Sequence, residues 1–371
     1  MVGVPIFVTP SWLVVAGFIT ISYAHFLRVQ VAGLTLAGSY LVALVYVIAL
    51  GASVLAHEIG HTLVSRAVGL PVRRIVVFLL GGVSEVEGET TRPRDEFVIA
   101  AAGPAISFLL AGGCWAAGLM VGAGSSLDVV LRLLTATNLI IVLFNVLPGL
   151  PLDGGRLLLA VVWRLGQSRA AGVRVAAWSG RGIALLLGLS IVAVNVLLTR
   201  DGPITLSTIA TNALAFAVAG FLWVGASQTL RTADVARRAR GLHVRHLIRP
   251  TIYLPPNTPI SEALRRAVEA RAAGIVVIDP AGLSRAIVRE ADVAGIHPAR
   301  RPWATLADVS RTLEPGLVID DTLAGEALLA AVRAKPASEY LVVDRHGTSC
   351  GVIATADLVR ALDSAPPRTR G

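Results

Sequence analysis

Cysteine, lysine and charge are all scarce in this chain of 371 residues. Its two cysteines are Cys114, in an apolar run, and Cys350, in the polar C-terminal part, so disulfides do not hold the fold together. Lysine occurs once, at Lys335, and arginine carries the remaining positive charge, a usage that reflects GC-rich coding rather than chemistry. Charged residues make up 15% of the chain against 54% hydrophobic, and the mean hydropathy is +0.71. That balance excludes an ordinary soluble protein. The net charge of +9 comes without a basic face interleaved with aromatics, which argues against a nucleic-acid partner and for a positive membrane face. The N-terminus has neither a basic leader nor a small-residue cleavage site, so its first apolar run reads as a membrane helix rather than a removable signal.

A bilayer core of roughly 30 Å is crossed by about 20 apolar residues in a helix. Six segments qualify, at about 9–27, 36–65, 96–122, 126–149, 177–199 and 203–230. The stretch 150–170 is apolar but interrupted by Pro148, Pro151 and Gly154-Gly155, and is expected to be a partly buried or interfacial helix. Arg66, Arg73, Arg74, Arg92 and Arg94 lie between spans two and three, and Arg156, Arg164, Arg169, Arg174 and Arg181 between four and five. The opposite loops offer only Arg28, Arg132 and Arg200. The arginine bias places the first set, and with it both termini, in the cytoplasm.

Inside the second span lies His57-Glu58-Ile59-Gly60-His61, at the end of a stretch, Val29 to Ala56, without a charged residue. Histidines four residues apart share one helical face and can grip one Zn²⁺, while the intervening glutamate can take a proton from a metal-bound water. Ionisable groups in spanning helices are costly and mark functional sites. A catalytic zinc wants a third protein ligand. Asp153, in Asn145-Val146-Leu147-Pro148-Gly149-Leu150-Pro151-Leu152-Asp153-Gly154-Gly155, leads the candidates. The same residue suits a cap for the next helix, and the residues alone leave the two readings even.

The joint pattern resembles the site-2 protease family of intramembrane zinc metalloproteases (peptidase family M50). The H-E-I-G-H pentad and the N-V-L-P-G-L-P-L-D-G-G segment carry the resemblance, over about residues 40–165. Ala102-Gly103-Pro104 and Gly81-Gly82 also resemble the family. The resemblance implies His57, His61 and Asp153 as ligands of one zinc, Glu58 as general base, and Asn145 as a residue that holds the substrate strand or polarises its carbonyl. Residues 72–89 read as strand, with a β-branched run before Gly81-Gly82 and alternation after it. The plain alternative is an interfacial hairpin. The resemblance implies a strand edge here, including Gly81 and Gly82, that receives an unwound substrate helix. The implied substrates are transmembrane segments of other proteins, anti-sigma factors among them.

After Arg231 the composition turns polar. Residues 231–241 read as a basic helical linker, followed by an internal repeat that resembles a tandem CBS pair at 242–362, with copies at about 242–297 and 303–362. Residues 363–371 are expected to be a disordered tail. Such pairs bind adenine nucleotides, and the resemblance implies Asp292 and Asp357 as ribose contacts; both are equally suited to cap their helices. The hydroxyl position of the motif is Ala354 in the second copy, and Ala286 and Arg289 stand in the first. The expected architecture is thus an α-helical membrane domain of six spans with a small β insertion (1–230) and a cytoplasmic α/β CBS-pair domain, associating as a homodimer. The alternative is a CBS-regulated channel or transporter subunit with the histidines on an ion path; it calls for further intramembrane polar residues or inverted repeats, and neither is evident.

Overall fold

Uncharged runs of this length fold as helices, because a chain in hydrocarbon must satisfy its backbone groups within itself. The computed structural model describes residues 3–78, 81–198 and 206–364. Contacts divide the chain into two units, Met1–Ala233 and Asp234–Gly371.

The first unit opens with β1 (Ile6–Val8), α1 (Pro10–Gln30), α2 (Leu36–Ala67), β2 (Val72–Phe78) and β3 (Gly81–Val86). It continues through α3 (Pro93–Gly118), α4 (Ser126–Val146), α5 (Asp153–Gly166), α6 (Arg169–Leu198) and α7 (Leu206–Ala239). Among the described residues six helices are long and apolar enough to cross a membrane: α1 to α4, α6 and α7. Their starts are marked chemically. Pro10 and Pro93 sit in first turns, where a missing N–H costs nothing, and the Thr35 hydroxyl accepts from the Gly38 N–H (3.1 Å). The interrupted stretch after α4 forms α5, which buries Leu159 and Ala160.

Two helices outrun the sequence expectation. α6 begins at Arg169, well before 177, and α7 continues through the basic linker instead of ending at 230. Nothing between Ala226 and Arg240 is glycine or proline, and the alanines, leucine and arginines there favour helix until Gly241. Residues 199–205, with Arg200, and the tail from 365 onward lie outside the described residues.

α2 is the central helix. Ala43, Tyr46, Val47, Leu50, Ser53, His57 and His61 recur at three- and four-residue spacing and are all buried. Tyr46, Val47 and Leu50 pack on Val130 and Leu134 of α4, and Tyr46 Oη meets Thr137 Oγ1 at 2.8 Å. The insertion is a three-stranded sheet in the order β1-β2-β3. β2 and β3 are antiparallel, pairing Ile75 with Ser84 and Val77 with Gly82. The strand from the N-terminus was not expected: β1 joins β2 in parallel, Ile6 opposite Ile75, and leaves β3 as a free edge among the described residues.

The second unit contains α8 (Val244–Leu247), β4 (Thr251–Leu254), α9 (Ile260–Glu269), β5 (Gly274–Ile278), β6 (Ser284–Val288), α10 (Glu290–Gly295) and β7 (Ser310–Thr312). β8 (Val318–Asp320), α11 (Gly325–Ala334), β9 (Glu339–Val343), β10 (Ser349–Ala354) and α12 (Thr355–Ser364) repeat the order strand, helix, hairpin, helix. The sheets run β4-β5-β6-β7 and β10-β9-β8. This repeated order is the one the sequence resemblance implied. Packing cuts across the repeat boundaries. Val244 is fully buried in the core of the second copy with Leu317, Leu328 and Tyr340, while Leu306 and Val309 complete the first with Ile260 and Val277.

Candidate active site

Helical spacing brings His57 and His61 of α2 to one face, and both are buried in the first unit with Glu58 between them. Asp153 arrives from the other side as the first residue of α5. The segment before it is pinned to α6: the Leu150 N–H donates to the Ala176 carbonyl (3.0 Å), and a methyl on Gly180 would lie 2.0 Å from the Leu150 carbonyl. Behind Asp153, Arg156 Nε donates to the buried Glu96 of α3 (2.8 Å), which also accepts from the Thr90 hydroxyl. α5 is thereby tied to α3 as well as α6.

Three donor atoms converge. His57 Nε2 and His61 Nε2 are 3.1 and 3.2 Å from Asp153 Oδ2 and 3.2 Å from each other. Outside the six spans, Asp153 is pushed up by burial, but its hydrogen bonds to His57 and then His61 outweigh this and hold the carboxyl at about 2. Each imidazole is fixed through its other nitrogen. His61 Nδ1 donates to the Ile99 carbonyl (2.7 Å), since a carbonyl only accepts, and Nε2 is thereby the atom that faces the centre. His57 Nδ1 lies 2.9 Å from the fully buried Ser107 Oγ. Ile99, Gly103 and Ser107 therefore form one face of α3, in which two residues orient the rings and the glycine between them makes room.

The donor set fits zinc. Two imidazoles and a carboxylate form a triangle whose edges approach the roughly 3.3 Å between ligands of a tetrahedron built on Zn–N distances near 2.0 Å. Such a face leaves one vertex for water or substrate.

Glu58 turns toward the hairpin. Ser84 Oγ of β3 donates to Glu58 Oε2 (2.9 Å), and a methyl on Gly82 would lie 2.4 Å from Glu58 Cγ. Among the described residues nothing lies within 4 Å of a methyl placed on Gly81, whose φ is +148°. Asn145 is half-buried in the last turn of α4 and has no side-chain hydrogen bond among the described residues, so nothing bonds it to the donor triangle. Ser84, Ser107 and the Ile99 carbonyl escaped the sequence reading. Only the four-residue spacing of Ile99 and Ser107 about Gly103 could have pointed to two of them.

In the second unit a cleft of about 340 Å³ is lined by Arg249, Leu264, Glu290, Arg301, Glu339 and Val352 among others. Neither Asp292 nor Asp357 lines it. Asp292 pairs with Arg289. Asp357 accepts from Arg249 Nε (2.5 Å) and pairs with Arg360; the Arg249 hydrogen bond, ahead of burial, holds its carboxyl below the usual range.

Residues 45–123, which contain the pentad, the hairpin and α3, match the model of peptidase family M50. Over that stretch the chain is similar to family M50. The chain is 27% identical to sll0528 of Synechocystis sp., a zinc metalloprotease by name, over 98% of its own length and 94% of that protein. Among solved structures, a site-2 protease from Methanocaldococcus jannaschii covers 62% of this chain and 92% of its own, with 23% identity and a TM-score of 0.41. The CBS domain protein TA0289 of Thermoplasma acidophilum covers 33% of this chain and 72% of its own, with 19% identity and a TM-score of 0.27.

Proposed function

We propose that this chain is a zinc-dependent endopeptidase that cuts peptide bonds in or near the transmembrane helices of other membrane proteins. The observation that carries the proposal is the triangle of His57, His61 and Asp153, with buried Glu58 beside it, on helices apolar enough to lie in a bilayer. Bound there, zinc would supply Lewis acidity that makes a water acidic and a carbonyl electrophilic. Glu58 takes the proton of the attacking water and delivers it to the leaving amine. Asp153 and the two imidazoles hold the metal, and Ser107 and the Ile99 carbonyl keep the rings turned to it. A substrate helix hides its carbonyls until it unwinds; the free edge of β3, beginning at Gly81 and Gly82, offers main-chain partners to the extended form. Asn145, its amide unengaged among the described residues, is assigned to the substrate's own backbone.

The arginine-rich loops put this chemistry at the cytoplasmic side, with both termini and the CBS pair in the cytoplasm. Membrane-anchored regulators such as anti-sigma factors fit the substrate class. The CBS pair is assigned a regulatory role: its cleft, with Arg249 and Arg301, suits an adenine nucleotide, Asp357 acting on it through Arg249, and paired copies of the unit suit a homodimer. The name of the relative sll0528 favours the protease over the channel or transporter alternative.

Metal content and cleavage, measured on the same detergent-purified samples, test the proposal. Wild type, Glu58→Gln and Asp153→Ala are assayed for zinc and against a panel of labelled transmembrane peptides. About one zinc per chain, kept in Glu58→Gln and lost or weakened in Asp153→Ala, with cleavage by wild type alone, is the expected result. A well-folded wild type without zinc refutes the mechanism.

A further inference from the structure

The strand with the free edge also touches the general base. Side chains alternate along a strand, so Gly82 and Ser84 share the face of β3 that lies on α2. Gly82 leaves room for the Glu58 carboxylate, which a methyl there would meet at 2.9 Å from Oε1. Ser84 Oγ bonds the other oxygen, Oε2, at 2.9 Å. The direction of that bond is set from behind. Thr62, fully buried one turn beyond Glu58 on α2, donates its hydroxyl to Ser84 Oγ (3.2 Å), and the Ser84 proton is thereby turned to Glu58. The same hydroxyl lies 3.2 Å from the Glu58 carbonyl, which centres it on that residue.

We propose that Ser84 is the positioning residue of the general base: it holds Oε2 so that Oε1 is presented to the reacting water, and through it an extended substrate docked on β3 sets the base. The inference rests on Glu58 acting as base, the reading given above. A freely rotating glutamate would spend much of its time turned away from the water, and a hydrogen bond from a buried hydroxyl to a carboxylate is strong enough to prevent that. Because β3 carries both the docking edge and the tether, a substrate that straightens or shifts the strand acts on the carboxylate at the same moment. Binding and base orientation are then one event.

The experiment uses the full chain in detergent, loaded with zinc, as wild type, Ser84→Ala, Ser84→Thr and Thr62→Val. Zinc content, thermal midpoint, kcat and KM are measured on the transmembrane peptide that wild type cleaves fastest, and affinity for leucine hydroxamate, a zinc-binding probe whose proton the base accepts. Ser84→Ala is expected to keep its zinc and midpoint, with KM within about twofold, while kcat falls about tenfold or more and hydroxamate affinity about tenfold. Ser84→Thr, which keeps the hydroxyl, restores most of both, and Thr62→Val shows a smaller loss of kcat in the same direction. A Ser84→Ala enzyme with wild-type kcat overturns the proposal. So does one that loses zinc or stability along with activity, or a Ser84→Thr enzyme as impaired as the alanine variant. Failure of wild type to bind zinc refutes the protease reading instead, which is a different result.

Discussion

Gly103 of α3 makes the sharpest prediction. A methyl at this position would lie 2.2 Å from His61 Nε2 and 2.5 Å from His57 Nε2, the two atoms that would face a bound metal. Carbon contacts relax only near 3.5 Å, so the overlap is about 1 Å or more on each ring. Neither ring yields cheaply. Turning His61 away gives up its bond to the Ile99 carbonyl, and turning His57 gives up Ser107, at about 1 kcal/mol apiece. Spreading α2 from α3 is also opposed, because Gly60 already sits against Ala102 and Ile106. Without metal, Gly103→Ala tolerates rotated rings; with metal it must force them back. The overpacking cost of about 1–3 kcal/mol therefore falls on the zinc complex and weakens zinc binding roughly 5- to 150-fold. Competition against a chromophoric chelator measures this directly. Gly112→Ala serves as control, since a methyl there meets nothing within 4 Å on the same helix, and is expected to be neutral or to stabilise by up to about 1 kcal/mol. Wild-type zinc affinity in Gly103→Ala would refute the assignment of the triangle as the metal site.

Ser107→Ala releases His57 and should weaken zinc roughly tenfold, with little effect on the metal-free thermal midpoint, again read by chelator competition. Glu96→Gln leaves Arg156 without its buried partner and loosens the strut that carries Asp153. Arg156 is 32% exposed, so the cost should fall below that of a fully buried pair, about 2 kcal/mol, and appear as a lower midpoint in detergent. The Asp357 carboxyl, lowered chiefly by Arg249, contributes stability that is complete above its unfolded value, about 3.9, and is lost as pH falls through its lower folded value. The midpoint difference between wild type and Asp357→Asn should accordingly be full at pH 6 and shrink below about pH 4; an undiminished difference would place the stabilisation elsewhere.

The elements most legible in the sequence were those with a period or a composition behind them. The six apolar helices follow from charge-free runs, and the hairpin from β-branched residues around a glycine pair. The convergence of Asp153 on the two histidines was legible only through the paired motifs, since nothing local in Leu152-Asp153-Gly154 separates a ligand from a helix start. What stayed hidden is what depends on partners far apart in the chain. β1 is three residues whose role comes wholly from pairing with β2, more than sixty positions later. Ser84 and Ser107 are single hydroxyls whose neighbours are set by how β3 and α3 cross α2. Asp292 and Asp357, expected as ribose contacts from motif position, each pair with an arginine that motif position does not reveal.

The segments exchanged between the two copies of the second unit bear on how the unit folds and how it can be cut. Val244 comes from the start of the first copy to fill the second, and Leu306 and Val309 come from the start of the second to fill the first. A break near residue 300 would leave one core short of its plug and the other short of a strand and two large side chains. The halves should therefore melt as one cooperative block, with no stable single-copy intermediate on the way. A copy expressed alone could complete itself only by borrowing the missing segment from another molecule, and would be driven to pair. Tandem duplication makes that loan internal, so that within one chain each copy is the other's missing part.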